Sequence, residues 1–380
     1  MKAAGGGFLK QPSNTQAFSG MKTMPHINEI AYVEFYVGNA SQATHFYRTA
    51  FGFQPVAQAT LDIGAREATS FVLRQNEITL ILTSSTAAAS PVREHVRIHG
   101  DSVKDIAFAV DDAAQTFAEV VRRGASPVLP PTVFEQNGTR VVKATVKAFG
   151  DTVHSFIERH GTCARFLLGY QPIAHPQTVK PTGLSAIDHV AVCVEPGALK
   201  SWFDFYIEVF DFHQSHQEDI VTENTAMNSG VVRSENGRIQ ISIMEPAPHK
   251  STSQIEEYLA LHQGSGAQHI ALLSEDIFRT VRALSENGIE FLKTPANYYD
   301  QLEKRLGRVG EDVSRLRELS ILLDHDHWGA LLQIFTKPLH DRPTTFMEIM
   351  QRKGARGFGG GNIKALFEAI EREQALRGTL

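Results

Sequence analysis

Ile30-Ala31-Tyr32-Val33-Glu34-Phe35-Tyr36-Val37 is an apolar run of β-branched and aromatic residues broken only by Glu34, which predicts a largely buried strand. A polar turn follows, then His45-Phe46-Tyr47 in an amphipathic helical stretch, then the aromatic close Phe51-Gly52-Phe53. The same order returns in the second half. There the strand is Ile187-Asp188-His189-Val190-Ala191-Val192-Cys193-Val194, followed by Asp204-Phe205-Tyr206 and Phe210-Asp211-Phe212. A pattern that recurs at this distance marks an internal repeat.

Two further pairs fit the same frame. Residues 100–108 (GDSVKDIAF) match 264–272 (GSGAQHIAL), and each run leads into a predicted helix, 113–123 or 277–287, that stops at Gly124 or Gly288. Each then enters a strand predicted to end in proline, Pro130 or Pro295. Residues 153–159 (VHSFIER) match 346–352 (FMEIMQR) and close each half. The reading is an α+β fold of duplicated βαβββ modules, spanning 26–160 and 184–356 and joined by a Pro-, Gly- and Gln-rich linker at 161–183. Residues 1–25 read as a disordered leader, with Met21 or Met24 as alternative starts. Residues 357–380 read as a glycine hinge followed by an amphipathic helix from Ile363 to about Leu376, with Leu366, Phe367 and Ile370 on one face.

Superposing the halves locates the candidate chemistry. His189 falls on Tyr32, His269 on Asp105, and Glu348 on Ser155, so one copy carries two imidazoles and a carboxylate where the other carries none of them. Two neutral imidazoles and one carboxylate on one face form the ligand set of non-haem Fe(II) oxygenases, leaving adjacent positions open for substrate and O2. Alternation places His189 on the face of Ala191 and Cys193, while the neighbouring Asp188 and Gln268 point away or support the ligands. The chain has 16 histidines, and a lone one on a strand is more often structural; coincidence at three equivalent repeat positions sets these apart. His325-Asp326-His327, before Trp328-Gly329, reads as a polar hairpin turn. The glycines at 357–361 lack the preceding strand and following Lys of a phosphate loop, and Ser229 lacks a paired base.

Composition narrows the class. Hydrophobic residues make up 42% and charged residues 21% of the 380, and the formal net charge is −5, which suits a globular protein and disfavours a nucleic-acid partner. Two cysteines do not make a disulfide scaffold, and no apolar run is long enough to span a membrane, so the expected setting is cytoplasmic.

The runs Gly266-Ala267-Gln268-His269-Ile270-Ala271-Leu272 and Phe346-Met347-Glu348-Ile349-Met350-Gln351-Arg352, taken with His189, resemble the 4-hydroxyphenylpyruvate dioxygenase and 4-hydroxymandelate synthase family of the vicinal-oxygen-chelate fold. The resemblance runs from about Ile27 to Leu380. It includes Ser253 to Tyr258, Tyr298-Tyr299-Asp300, Leu332 to Thr336, and Gly357 to Glu371. It implies two open barrels, a C-terminal lid helix, and one Fe(II) per chain held by His189, His269 and Glu348. The implied partners are O2 and an aryl pyruvate such as 4-hydroxyphenylpyruvate; a homo-oligomer is also expected. Gln268, Gln333 and Ser229 are then polar groups close to the chemistry. Gln254, Ser242, Met244, Phe335, Phe346, Phe358 and Ile363 shape the substrate pocket.

The family's two activities split between homogentisate and 4-hydroxymandelate. Homogentisate formers resemble Pro-x-Asn-Glu-Pro where this chain reads Ser242-Ile243-Met244-Glu245-Pro246, and they carry Phe where it has Ile363. Both differences, and the run Ala226-Met227-Asn228-Ser229, look like the mandelate synthases. Thr336-Lys337-Pro338, Asp341-Arg342-Pro343 and the 371–380 tail look like the dioxygenases, and Met347 looks like neither. The favoured expectation is 4-hydroxymandelate, with homogentisate as the alternative. A third possibility is a protein of this fold that sequesters a small molecule without turnover, against which the complete ligand set and the pocket glutamines stand.

Overall fold

The computed structural model describes residues 25–379 apart from 62–63, 66, 137–138, 161–168, 175–177 and 308–309. Apart from Pro25, the expected leader lies outside the described residues, as do Cys163 and part of the expected linker.

The strand predicted at 30–37 is Ile27–Tyr36, and its repeat is Leu184–Cys193. Each is the hub of one sheet. Ile27–Tyr36 pairs antiparallel with Ser102–Val110, Leu184–Cys193 pairs antiparallel with Gly266–Ser274, and each of these four strands also takes one parallel neighbour. Among the described residues the first sheet has nine strands and the second eight, in matching order outward from the two central seams. Antiparallel pairing along the chain with a parallel return at each seam curls both sheets into open half-barrels, the duplicated vicinal-oxygen-chelate architecture. Gln171–Pro172, in the expected linker, pairs with Gln54–Ala59 as an added edge of the first sheet.

The helices end where the sequence punctuates them. Asn39 caps the helix Ala40–Phe51 by accepting from the Gln42 amide, and Gly52 closes it at φ +76°. In the repeat, Leu199–Phe210 ends on Asp211 in the same left-handed conformation, φ +61°. A non-glycine residue there costs on the order of 1 kcal/mol. The turn is kept because it buries Phe210 and Phe212, as Gly52 lets Phe51 and Phe53 be buried.

Three departures from the expected symmetry have physical causes. Pro127–Gln136 continues past Pro130 because it is an edge strand, where a missing amide donor is tolerated. In the second half Pro295 instead starts the helix Ala296–Asp300, and Leu302–Leu306 and Val313–Leu319 follow as an insertion the first half lacks. The glycines at 357–361, expected as a flexible hinge, form a crowded turn. Gly359 sits at φ +70°, a Cβ on Gly360 would meet the Glu218 carboxylate at 2.1 Å, and the Gly361 amide donates to Asp324 at 2.9 Å. The C-terminal helix then runs Gly360–Arg377. No helix among the described residues is long and apolar enough to cross a membrane.

One apolar core runs through both halves, joined by rings at the seam: Phe108 and His154 from the first half meet Phe210 and Tyr206 from the second. His154 is wholly buried; its Nδ1 lies 2.9 Å from the Ile106 carbonyl and its Nε2 2.8 Å from the Tyr206 hydroxyl. Burial pushes its pKa down to about 4, against weaker opposing pulls from that carbonyl and from Asp105. The folded chain therefore holds His154 neutral where the unfolded chain protonates near 6.5. Its contribution is complete above pH 6.5 and shrinks as pH falls toward 4, by up to about 3 kcal/mol. Urea unfolding between pH 7 and 4 should show a shallower loss of stability for His154→Gln than for the parent; identical slopes would exclude this role.

Candidate metal centre

The register of the second sheet assembles the three predicted residues. His189 lies opposite Ala271, and Ala271 lies opposite Glu348, so His189 and Glu348 flank the central strand Gly266–Ser274 in one row. His269 is two residues back on that strand and thus projects from the same face. Ala271 between them is small, which leaves the side chains free to converge. His189 Nε2 lies 3.3 Å and His269 Nε2 3.6 Å from the same Glu348 oxygen, Oε2. The three residues are 3%, 6% and 1% exposed.

Each group is held from behind. His189 Nδ1 donates to Asp188 at 2.9 Å, and Arg352 clamps that carboxylate through Nε at 2.6 Å and Nη2 at 2.8 Å. His269 Nδ1 lies 3.2 Å from Gln268 Oε1, and Phe346 stacks on its ring at 4.8 Å. Glu348 spends Oε1 on the Gln333 amide at 2.8 Å. The two Nε2 lone pairs and Glu348 Oε2 therefore face one another in a buried space, which is unfavourable without a cation between them. Burial disfavours the His189 imidazolium, yet Asp188 and Glu348 outweigh it and hold the pKa at about 9, so this point draws positive charge. Burial would likewise raise the Asp188 carboxyl, but Arg352 and His189 hold it below the ordinary range. His269 is pushed well down by burial and by His189. Two nitrogens and one carboxylate in this arrangement suit Fe(II), and every donor needed to hold one is present.

The first half fills the equivalent place differently. Tyr32 and Ser155 both donate to Asp105, at 3.0 and 2.6 Å, and Lys143 Nζ lies 3.0 Å from the Tyr32 oxygen and 3.3 Å from Asp105. An ammonium supplies the positive charge there, with no imidazole to ligate a metal.

Similarity to known proteins agrees with this geometry. Residues 25–167 match the family described as hydroxyphenylpyruvate dioxygenase, N-terminal, and residues 186–305 match the glyoxalase/bleomycin resistance protein/dioxygenase superfamily. The chain is 40% identical over 377 residues to 4-hydroxyphenylpyruvate dioxygenase of Aspergillus fumigatus, covering 92% of this chain and 93% of that one. It is 40% identical over 367 residues to the enzyme of the same name from Yarrowia lipolytica, covering 92% and 93%. A solved structure of a mutant 4-hydroxymandelate synthase from Streptomyces coelicolor superposes with a TM-score of 0.83 at 38% identity, covering 92% of this chain and 100% of that one. The chain belongs to the 4-hydroxyphenylpyruvate dioxygenase and 4-hydroxymandelate synthase family.

In this family member the metal-capable triad lines a narrow cavity with about 40 Å³ of free space. Twelve of the thirteen site residues expected from sequence line it: His189, His269 and Glu348 with Ser229, Ser242, Met244, Gln254, Gln268, Gln333, Phe335, Phe358 and Ile363. Phe346 does not; it lies behind His269 as the ring that fixes the imidazole plane. Ser229 donates its hydroxyl proton to the Glu218 carbonyl at 2.8 Å, which leaves its oxygen as an acceptor. Gln254 Oε1 is buried with no protein partner, an unmet acceptor at the cavity wall.

Other contributors were not read from the sequence as site residues. Met227, Leu366 and Phe367 complete the apolar wall. Asn362 donates to Gln333 Oε1 at 2.7 Å and accepts from the Tyr298 hydroxyl at 2.7 Å, so a chain of hydrogen bonds runs from Glu348 through Gln333 to the C-terminal helix. Arg352, which orients Asp188, also donates to the Gly357 carbonyl at 2.7 Å. Asn362 beside a glycine run had the polarity of an ordinary cap, and only the fold shows what it reaches.

Proposed function

We propose that this chain is an Fe(II)-dependent dioxygenase that converts 4-hydroxyphenylpyruvate and O2 to 4-hydroxymandelate and CO2, with one iron per chain on His189, His269 and Glu348. The observation that supports this reading is the triad facing a partly open cavity whose exposed wall is mostly apolar, with Ser229, Ser242 and three glutamines as its uncharged polar groups. When bound there, iron supplies chelation of the α-keto acid and activation of O2. The rest falls to the side chains. Phe335 and Phe358 flank the aromatic ring and, with Leu366 and Phe367, exclude water. The unmet oxygen of Gln254 accepts from the substrate's phenol, and Gln333 holds Glu348 in orientation.

Product identity depends on which substrate carbon the wall presents to the metal side. Met244 lies opposite Ser229 in strand register and Ser242 opposite Val231, so one wall meets the ring with a thioether and a hydroxyl, and Ile363 adds a branched aliphatic from the C-terminal helix. None of these offers the ring an amide, and Ile363 leaves room that a Phe would fill. This favours exposure of the benzylic carbon. A displacement of about 1 Å suffices to redirect a reaction.

Incubation with 4-hydroxyphenylpyruvate, Fe(II) and O2 followed by mass spectrometry should give mainly 4-hydroxymandelate. The combined Ser242→Pro, Met244→Asn, Ile363→Phe variant should move a measurable share of product to homogentisate or other ring-oxidised acids. Homogentisate alone from the parent enzyme would reverse the reading in favour of the activity for which the relatives at 40% identity are named.

A further inference from the structure

A second convergence of metal-capable side chains lies outside this cavity. His95 and His99 are four apart on the helix Pro91–His99 and so share one face, and Asp151 reaches them from the turn between the strands Thr139–Lys147 and Val153–His160. Asp151 Oδ2 lies 3.2 Å from His95 Nδ1 and 3.6 Å from His99 Nε2. The corresponding separations in the catalytic triad are 3.3 and 3.6 Å, also from a single carboxylate oxygen to two imidazole nitrogens. Zinc–ligand bonds of roughly 2.0–2.1 Å in a tetrahedron place neighbouring donor atoms about 3.4 Å apart.

The far sides of both rings are held as ligand imidazoles are held. His99 Nδ1 lies 2.6 Å from the His262 carbonyl, which can only accept, so that nitrogen carries the proton and Nε2 faces Asp151 bare. His95 Nε2 lies 2.9 Å from Ser102 Oγ, whose own proton can pass to the Gly100 carbonyl at 3.3 Å. In the metal-free chain His95 Nδ1 donates to the Asp151 carboxylate at 3.2 Å; with the proton moved to Nε2, facing Ser102, that nitrogen is freed for a metal. The histidines are 2% and 6% exposed, whereas the Asp151 side chain is 53% exposed and leaves an entry from solvent. The resident cation is Lys104, whose Nζ lies 3.5 Å from Asp151 Oδ2; it sits on a long flexible stem and is the group a metal displaces.

We propose that His95, His99 and Asp151 form a second, non-catalytic site for a borderline divalent ion such as Zn(II). The ion would pin the Pro91–His99 helix to the 151 turn. That helix is also where the second half leans on the first: His99 stacks on His262 at 4.4 Å, and Arg342 donates to the carbonyls of Ile98 and Arg97 at 2.5 and 3.3 Å. A metal here therefore acts on stability rather than on the oxidation.

The test uses the full chain carrying His189→Ala and Glu348→Ala, so that the catalytic donors cannot compete, with Co(II) as a visible probe and Zn(II) as competitor. One Co(II) per chain is expected, with tetrahedral visible absorption and displacement by one Zn(II). Adding Asp151→Asn, an exposed and nearly isosteric change, should weaken binding at least tenfold; His99→Ala should do the same, with circular dichroism reporting the fold. In the iron-loaded parent, Zn(II) should raise the thermal midpoint, and Asp151→Asn should remove that rise. Absence of stoichiometric Co(II) binding, or less than a tenfold loss in the folded Asp151→Asn chain, overturns the proposal.

Discussion

Glu348→Ala should remove turnover and iron together, with iron falling from one per chain to background and O2 uptake with an aryl pyruvate to the level without enzyme. The carboxylate is the shared partner of both imidazole nitrogens, at 3.3 and 3.6 Å, so its loss removes one donor and also the charge that offsets the metal's. It also strips the Gln333 amide of its acceptor in a buried place. His189→Ala and His269→Ala should behave alike, because two remaining ligands hold Fe(II) too weakly to survive purification. Asp188→Asn is the informative contrast. It keeps an acceptor for His189 but loses the charge that Arg352 clamps, so iron affinity should fall about 10- to 100-fold while turnover at saturating iron survives. Metal analysis beside O2 uptake separates the two behaviours. An active Glu348→Ala variant would remove the triad from the mechanism altogether.

The triad was legible because repetition made it so. A single histidine on a strand says little, but His189, His269 and Glu348 fall at positions that the first half fills with Tyr32, Asp105 and Ser155, and the strand registers put both sets in matching places. Short β-branched and aromatic runs marked the strands, and the aromatic closes at Phe53 and Phe212 marked the helix ends, because both are local consequences of burial. What could not be read depends on contacts far apart in sequence. Asn362 and Gln333 are 29 residues apart, and Arg352 and Asp188 are 164 apart. Neither pair has a spacing rule, so only the folded sheet brings them together. The 357–361 run misled for a related reason. Glycines there looked like freedom, but Glu218, Asp324 and Arg305 pack against the backbone of Gly359, Gly360 and Gly361, so a side chain at any of the three would have to displace a neighbour. Phe346, which the family resemblance placed in the pocket, stacks on the His269 ring instead.

That crowded turn makes the C-terminal helix a fixed cover, and its removal should separate binding from productive chemistry. The helix supplies Ile363, Leu366 and Phe367 to the cavity wall and Asn362 to the Gln333–Glu348 chain. It is fastened along its length: Glu371 accepts from Thr222 and Thr225, and Arg377 pairs with Glu257 at 2.8 Å. The three ligands lie on the sheet rather than on the helix, so a chain ending before Ile363 should fold and still bind one iron. Water then enters beside the aromatic ring, and nothing holds that ring against the metal side. Turnover should fall on the order of 100-fold, the penalty for losing orientation by about 1 Å. Much of the remaining O2 uptake should release CO2 without hydroxylated product. Asn362→Ala in the full chain isolates the polar part, leaving the wall intact while Gln333 loses its donor. A smaller loss is expected there, about 10-fold, with coupling largely kept. Measuring CO2, O2 and hydroxy acid in the same reaction gives the ratio directly. A truncated enzyme that keeps full, coupled turnover would show the helix to be packing alone, and the seal would then have to come from Phe335 and Phe358 on the body of the second half.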